Sequence, residues 1–349
     1  MPSPRELLER LLRGAHLAED EAAALLATLT AADTAPAFAG AVLAALRAKG
    51  TTAAEVRGFA GAMRALARRP NWPSPVDAID IVGTGGDASG SLNLSTGAAL
   101  LTAACGTAVV KHGNRSISSR CGSADLLEAL GLRLPLDEDA AARCLQATGF
   151  TFLFAPYYHP AMKALAPVRA ALGVRTVFNL LGPLTNPAAP RFRLIGAYDA
   201  ASARLIAESI AGMDIERAWV VHGAAGWDEA TPIGPFLAHE VANGEVVDRH
   251  LDPRNFGMPI CLPGDLAGGD ARANAAALCA VFERSDRGPH LAALTLQCGI
   301  ALHVAGRAET VALGIERARE TVESGRAGEW FANFRRVAAA LVAAPAGSA

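Results

Sequence analysis

Apolar positions along the chain fall into two regimes. In residues 1–69 they recur at helical spacing. Leu7, Leu8, Leu11 and Leu12 share one face of a predicted helix opened by Ser3-Pro4-Arg5-Glu6, a capping box with proline at the first helical position. Thr52 to Glu55 repeats that pattern before a helix predicted to run to about Arg69, and Gly50 marks a stop before it. Pro70, Pro73 and Pro75 read as a linker. Beyond it, short aliphatic or β-branched runs at 79–82, 108–110, 151–154, 194–197 and 218–221 alternate with helical segments. That alternation predicts a largely parallel sheet with helical crossovers. The expected fold is therefore α/β: a small all-helical N-terminal domain over 1–73 and a larger α/β domain over 74–349. No internal repeat is visible, and the Ala/Pro/Gly tail after Leu341 is expected to fray.

Composition narrows the function classes. With 349 residues the chain can bury a large core, and 51% apolar residues with few aromatics suit Ala/Leu helices around a sheet. A net charge of −2 offers no general attraction to nucleic acid or an anionic membrane. The charge-free stretch 88–110 is too rich in serine, threonine and glycine to span a bilayer. Residues 1–14 are charged and amphipathic, unlike a signal peptide. Six cysteines stand singly, without a Cys-x-x-Cys pair, and read as reduced thiols of a cytoplasmic protein.

Chemistry concentrates where the first apolar run ends. Residues 80–96 read Asp-Ile-Val-Gly-Thr-Gly-Gly-Asp-Ala-Ser-Gly-Ser-Leu-Asn-Leu-Ser-Thr. Glycines there let backbone N–H groups approach an anion, and Asn93, Ser95 and Thr96 stand at the start of the next helix. The stretch is neither a Walker loop nor a Gly-x-Gly-x-x-Gly dinucleotide turn. A helix N-terminus contributes only ~0.3–1 kcal/mol per charge, so a polyphosphate reading requires a cation elsewhere.

Residues 111–125 supply cations. They read Lys-His-Gly-Asn-Arg-Ser-Ile-Ser-Ser-Arg-Cys-Gly-Ser-Ala-Asp, after a second apolar run and before a helix predicted over Leu126 to Leu130. In open α/β sheets ligands sit beyond the carboxyl ends of strands, so two such loops face each other. Lys111 and Arg115 are then expected to neutralise phosphate, with Ser118, Ser119 and Gly122 as donors.

Gly-Thr-Gly-Gly-Asp, Asn-Leu-Ser-Thr and Lys-His-Gly-Asn-Arg-Ser with Gly-Ser-Ala-Asp together resemble the anthranilate phosphoribosyltransferase family. So do His-Pro-Ala-Met-Lys (159–163), Val-Arg-Ala-Ala-Leu-Gly-Val-Arg-Thr (168–176) and Phe-Asn-Leu-Leu-Gly-Pro-Leu-Thr-Asn-Pro (178–187). Order and spacing match from the N-terminal helices to about Phe334. The resemblance implies a site in the cleft between the two domains, with segments near 160–190 packing beside the helical one. It further implies a homodimer.

The implied reaction moves a 5-phosphoribosyl group from phosphoribosyl pyrophosphate to the amine of anthranilate, releasing pyrophosphate. Gly83, Thr84, Gly85, Gly86, Asp87, Asn93, Ser95, Thr96, Lys111 and Ser119 are the implied phosphoribosyl-pyrophosphate contacts. Asp228 and Glu229 are two adjacent acceptor-only carboxylates after the 218–221 run. With Ser95 they are the implied ligands of Mg²⁺, expected as two ions. Arg169 is the implied anchor of the anthranilate carboxylate. Gly83, His112, Asn114, His159 and the Gly182-Pro183 turn complete the implied acceptor site. Asn114 and Arg169 are expected to position, and no residue is marked as a chemical catalyst.

Some positions depart from the family pattern. Cys121 stands where serine is common, and Trp227 replaces a smaller aliphatic side chain beside the acidic pair. Gln297-Cys298-Gly299 replaces the usual Asn-Ala and small residue, far along the chain from every implied ligand. Three alternatives stay open: a paralogue acting on a modified aminobenzoate, an enzyme like a pyrimidine nucleoside phosphorylase, and a non-catalytic nucleic-acid-binding relative.

Overall fold

The computed structural model describes residues 2–72, 76–116 and 120–341. Four helices come first: α1 (Pro4–Leu12), α2 (Glu19–Leu29), α3 (Pro36–Lys49) and α4 (Ala53–Ala65). The capping boxes at Ser3 and Thr52 are both formed, and Gly50 ends α3 with φ 84°. The last predicted helix is shorter than expected, stopping at Ala65 rather than Arg69. On α1, Leu7 and Leu11 are buried, whereas Leu12 is 61% exposed and so lies off the inward face. Pro73 and Pro75 of the expected linker, and the tail after Leu341, lie outside the described residues.

Seven strands form one sheet: β1 (Ile79–Gly83), β2 (Val109–Gly113), β3 (Phe150–Phe154), β4 (Phe192–Gly196), β5 (Arg217–His222), β6 (Phe236–Ala242) and β7 (Glu245–Leu251). Their order is β3-β2-β1-β4-β5-β6-β7. The first five are parallel, with Ile79 opposite Phe192 and Val109 opposite Phe150. β6 and β7 add an antiparallel hairpin that the expected strands did not include. Its signal is Asn243-Gly244 between two apolar-patterned runs, with φ 52° and 78°, as a tight hairpin turn demands. The sheet order reverses direction between β1 and β4, where α/β sheets open a crevice at their carboxyl edge.

Strand alternation divides the interior into two cores. Leu194, Trp219 and Val221 face one side. The core on that side is shared with α5 (Leu94–Ala104), α6 (Ser123–Ala129), α7 (Glu138–Thr148), α12 (Ala271–Phe282), α13 (Pro289–Val304), α14 (Val311–Glu323) and α15 (Arg326–Ala340), with α13 lying against β4 and β5. Ile195, Ala218 and Val220 face the other side, against α11 (Ala200–Ala211) and the core of the four N-terminal helices. Leu165, Val168, Phe178 and Leu181 are buried in that second core. They come from the short helices α9 (Ala166–Leu172) and α10 (Phe178–Leu181) and their flank; α8 (Ala155–Tyr158) follows β3 directly.

Candidate active site

The loop after β1 wraps around a pair of carboxylates. Gly85 and Gly86 both take positive φ, 66° and 76°, which lets the chain turn back over Asp228. The Gly85 N–H donates to Asp228 Oδ2 at 2.6 Å, and the Ser95 N–H, in the first turn of α5, donates to Glu229 Oε1 at 2.9 Å. Ser91 Oγ lies 3.5 Å from Glu229 Oε2. Asp87 closes the group, its Oδ2 accepting from the Asp228 N–H at 3.3 Å. Thr84 ties the loop to the neighbouring strand: its N–H donates to Gly196 O at 2.9 Å, and its hydroxyl accepts from the Tyr198 N–H at 3.1 Å.

Burial gives these carboxylates unusual proton affinity. Desolvation, with the charge of Asp87, pushes Asp228 up to about 7. Desolvation and the Asp228 charge push Glu229 well above the usual carboxylate range. Lys111 offsets part of that charge. It is not in the loop after the second apolar run, as the sequence reading had it, but in β2, 2% exposed, with Nζ donating to Ile81 O and lying 3.5 Å from Ser95 Oγ. Burial lowers it to about 8, against the pull of Asp80, Glu229 and Asp228, so it stays mostly cationic at neutral pH.

Not every predicted contact faces the loop. Asn93 bridges segments: its Nδ2 donates to Cys121 O at 2.9 Å, and its Oδ1 accepts from Asn274 Nδ2 at 2.9 Å. Thr96 is buried. Arg115 is bound to Asp125 and Glu128. Gly122 precedes α6, which begins at Ser123, three residues before the expected start. Ser118 and Ser119 lie outside the described residues. Trp227 is 4% exposed in the larger core and does not line the cavity of the acidic pair. The Cys121 thiol is buried and pushed up to about 11 by desolvation, so its part is the carbonyl that holds Asn93.

A second cluster forms near the Gly182-Pro183 turn. His112 Nδ1 donates to Gly182 O at 3.2 Å, and the His112 and His159 rings meet edge to face at 5.1 Å. Both leave Nε2 buried without a hydrogen-bond partner. Desolvation first, then each other's proximity for His112, lowers His112 to about 3; desolvation lowers His159 to about 4. Both rings are neutral at pH 7. Asn114 lies exposed just beyond β2, its Oδ1 accepting from the Arg115 N–H at 2.7 Å. Arg169, on α9, is half-buried with its guanidinium 5.2 Å from the centre of the Phe178 ring. Burial lowers its proton affinity, and among the described residues no carboxylate pairs with it.

Sequence reading missed the polar network between the two clusters. Asp80 Oδ1 accepts from the His112 N–H at 3.2 Å, and Oδ2 accepts from Asn186 Nδ2 at 2.8 Å. Fully buried Arg193 donates to Pro183 O at 3.0 Å. A charge inside an apolar strand run, as in Ile-Asp-Ile-Val and Phe-Arg-Leu-Ile, is the available signal, because buried charges are nearly always paired. Arg175 was missed as well: it donates to Gly86 O and lies 3.8 Å from the Tyr198 ring centre, bracing the loop.

Oxygen donors dominate the acidic pole: two buried carboxylates, the Ser91 hydroxyl and a nearby third carboxylate. Among the described residues no three His, Cys, Asp or Glu side chains converge as a complete metal cage. That set fits Mg²⁺, which takes one or two carboxylates and fills its shell with water and phosphate oxygens.

Comparison with known proteins agrees over nearly the whole chain. Residues 75–328 match the glycosyl transferase family a/b domain, and residues 5–67 match the helical bundle domain of the same family. Anthranilate phosphoribosyltransferase of Rubrobacter xylanophilus is 43% identical, covering 97% of this chain and 98% of its own. The crystal structure of anthranilate phosphoribosyltransferase from Thermus thermophilus superposes with a TM-score of 0.88 at 40% identity, over 95% of this chain and 98% of that one. The Saccharomyces cerevisiae enzyme in complex with phosphoribosyl pyrophosphate and Mg gives 0.85 at 25% identity, over 97% and 98%.

Proposed function

The chain belongs to the anthranilate phosphoribosyltransferase family, and we propose that its two clusters hold the two substrates of that reaction. The activity is transfer of the 5-phosphoribosyl group from phosphoribosyl pyrophosphate to the amine of anthranilate. The products are N-(5-phosphoribosyl)anthranilate and pyrophosphate, a step of tryptophan biosynthesis. The relatives support this reading over a phosphorylase, a nucleic-acid-binding protein or an enzyme for a modified aminobenzoate.

Phosphoribosyl pyrophosphate is assigned to Gly83, Thr84, Gly85, Gly86, Asp87, Asn93, Ser95, Thr96, Lys111 and Ser119. The mostly cationic Lys111, beside Ser95 at the start of α5, supports this. Ser95, Asp228 and Glu229 would hold Mg²⁺, and two ions are assigned because Asp228 faces the glycine loop while Glu229 faces α5. Bound Mg²⁺ neutralises the oxygens of a departing pyrophosphate.

Anthranilate is assigned to Arg169, His112, His159, Asn114, Gly83, Gly182 and Pro183. The single observation that carries this assignment is Arg169: a half-buried guanidinium, stacked on Phe178, to which no described carboxylate is bound. Its planar fork suits the anthranilate carboxylate. The anthranilate amine is already neutral, and rings lowered to about 3 and 4 are weak bases, so His112 and His159 shape the pocket and accept hydrogen bonds. Catalysis then rests on leaving-group stabilisation and on positioning, with Asn114 and Arg169 as positioning residues.

The division at 73/74 belongs to the same proposal, supported by separate family matches on either side of it. So does a homodimer paired through the helical domain, where Leu12 and Leu66 are 61% and 45% exposed. A cytoplasmic location is supported by six cysteines that stand as thiols. Loss of anthranilate fluorescence on adding phosphoribosyl pyrophosphate and Mg²⁺, abolished by EDTA, tests the reading. A folded protein that binds phosphoribosyl pyrophosphate yet leaves anthranilate untouched would overturn it.

A further inference from the structure

Gln297 stands in the middle of α13, more than sixty residues along the chain from Glu229 and two hundred from Ser95. The fold erases that separation. Gln297 is 3% exposed and lines, with Ser95, Asp228 and Glu229, one small cavity of about 10 Å³. Its expected remoteness from the implied ligands is thus corrected.

The side chain is out of place by ordinary standards. Its Nε2 is buried and has no hydrogen-bond partner, although an unpaired buried amide donor is costly. The other side chains around the cavity are apolar, including Ile81, Leu194 and Val221. The side-chain acceptors that line it belong to Ser95 and the two carboxylates. The backbone around Gln297 is held firmly. At Gly299, a Cβ would press on the Ile315 N at 2.6 Å, so glycine lets α14 lie directly against α13. Cys298 is fully buried, its Sγ 3.9 Å from that of Cys105 on the flank of α5. Two residues of the unusual triplet lock the helix, and the third enters the acidic cavity.

We propose that Gln297 is a positioning residue for the cation-binding carboxylates, its amide donating through one bridging water to the oxygens of Asp228 and Glu229 that face away from the cation. Such outer partners fix carboxylate orientation, and their loss typically weakens metal affinity roughly 10–100-fold. A cavity of about 10 Å³ has room for one water and no more, and Ser95, Asp228 and Glu229 give that water acceptors in an otherwise apolar wall. The inference rests on the Mg²⁺ reading of Asp228 and Glu229.

The test measures affinity for Mn²⁺ in the presence of inorganic pyrophosphate, by paramagnetic resonance, in the full chain and in Gln297→Met. The variant keeps volume and removes the donor. Expected is about tenfold weaker Mn²⁺ binding, turnover that recovers as Mg²⁺ is raised, and a KM for anthranilate within about twofold of the parent. Unchanged Mn²⁺ affinity in the folded variant overturns the proposal. Should Gln297→Met fail to fold, Gln297→Leu gives the same reading, and the rise in melting temperature on adding Mn²⁺ and pyrophosphate must shrink. Glu229→Gln serves as reference: if it binds Mn²⁺ as well as the parent, the metal reading itself fails, whatever Gln297 does.

Discussion

The Gly85 N–H and the Asp228 carboxylate are joined at 2.6 Å, 143 residues apart in the chain. Ser95 and Glu229 form the matching pair at 2.9 Å. The sequence expected these N–H groups to face phosphate, yet both are given to carboxylates. A phosphate oxygen and a carboxylate oxygen cannot share one donor at that distance. A divalent cation that draws Asp228 and Glu229 toward itself releases the donors, so anion and cation should bind together. Calorimetric titration with pyrophosphate is expected to show affinity at least about tenfold higher with Mg²⁺ than with EDTA, roughly 1.4 kcal/mol. In an Asp228→Asn, Glu229→Gln double variant the Mg²⁺ dependence should vanish. Equal affinities in the parent protein would rule out the coupling.

Arg169 has no described carboxylate partner and lies against Phe178, so its removal should be felt by one substrate only. A hydrogen bond to a charged group contributes about 1.5–3 kcal/mol, which predicts a KM for anthranilate raised roughly 10–150-fold in Arg169→Ala. The KM for phosphoribosyl pyrophosphate should move less than about twofold. Steady-state kinetics with each substrate varied in turn decides it, and equal effects on both would remove Arg169 as the carboxylate anchor.

Trp227 adjoins the acidic pair in sequence, and its ring lies in the core formed with Trp219 and Phe236. Trp227→Ala should therefore cost stability, about 3–5 kcal/mol by urea unfolding, as large-to-small core changes do. Mn²⁺ affinity of the folded variant should stay within about twofold. A large loss of metal affinity at unchanged stability would mean that the ring shapes the metal site after all.

The sequence carried the fold where each local signal agreed with its surroundings. Ser3 and Thr52 announce helices that form, and the aliphatic runs from Ile79 onward became parallel strands. The hairpin at Asn243-Gly244 has a local turn signal, but the largely parallel sheet expected from the alternating runs did not say where an antiparallel edge would attach. Motif residues were legible because glycine, lysine and paired carboxylates have specific chemistry. Their partners were not. That Asn93 reaches Cys121 and Asn274, that Arg115 is held by Glu128, and that Gln297 returns to Ser95 depend on contacts between distant segments. Periodicity records which face is buried, not which neighbour lies beneath it.

His159 gives the protein a calculable pH dependence. Its ring is 5% exposed, and burial lowers it to about 4 from an ordinary value near 6.5. Between those values the unfolded chain takes up a proton that the folded chain refuses, so acidification favours unfolding. The stabilisation is complete above pH 6.5 and is lost as pH falls toward 4; by pH 5 the loss is roughly 2 kcal/mol. His112, at about 3, works in the same direction and continues the loss to lower pH. Urea unfolding of the parent and of His159→Asn at pH 7.5 and pH 5 isolates the effect, because other titrating groups largely cancel in the difference. The parent's stability relative to the variant should fall by about 2 kcal/mol between the two conditions. A difference that does not change with pH would show that His159 takes its proton in the folded state. It would then be cationic in mild acid.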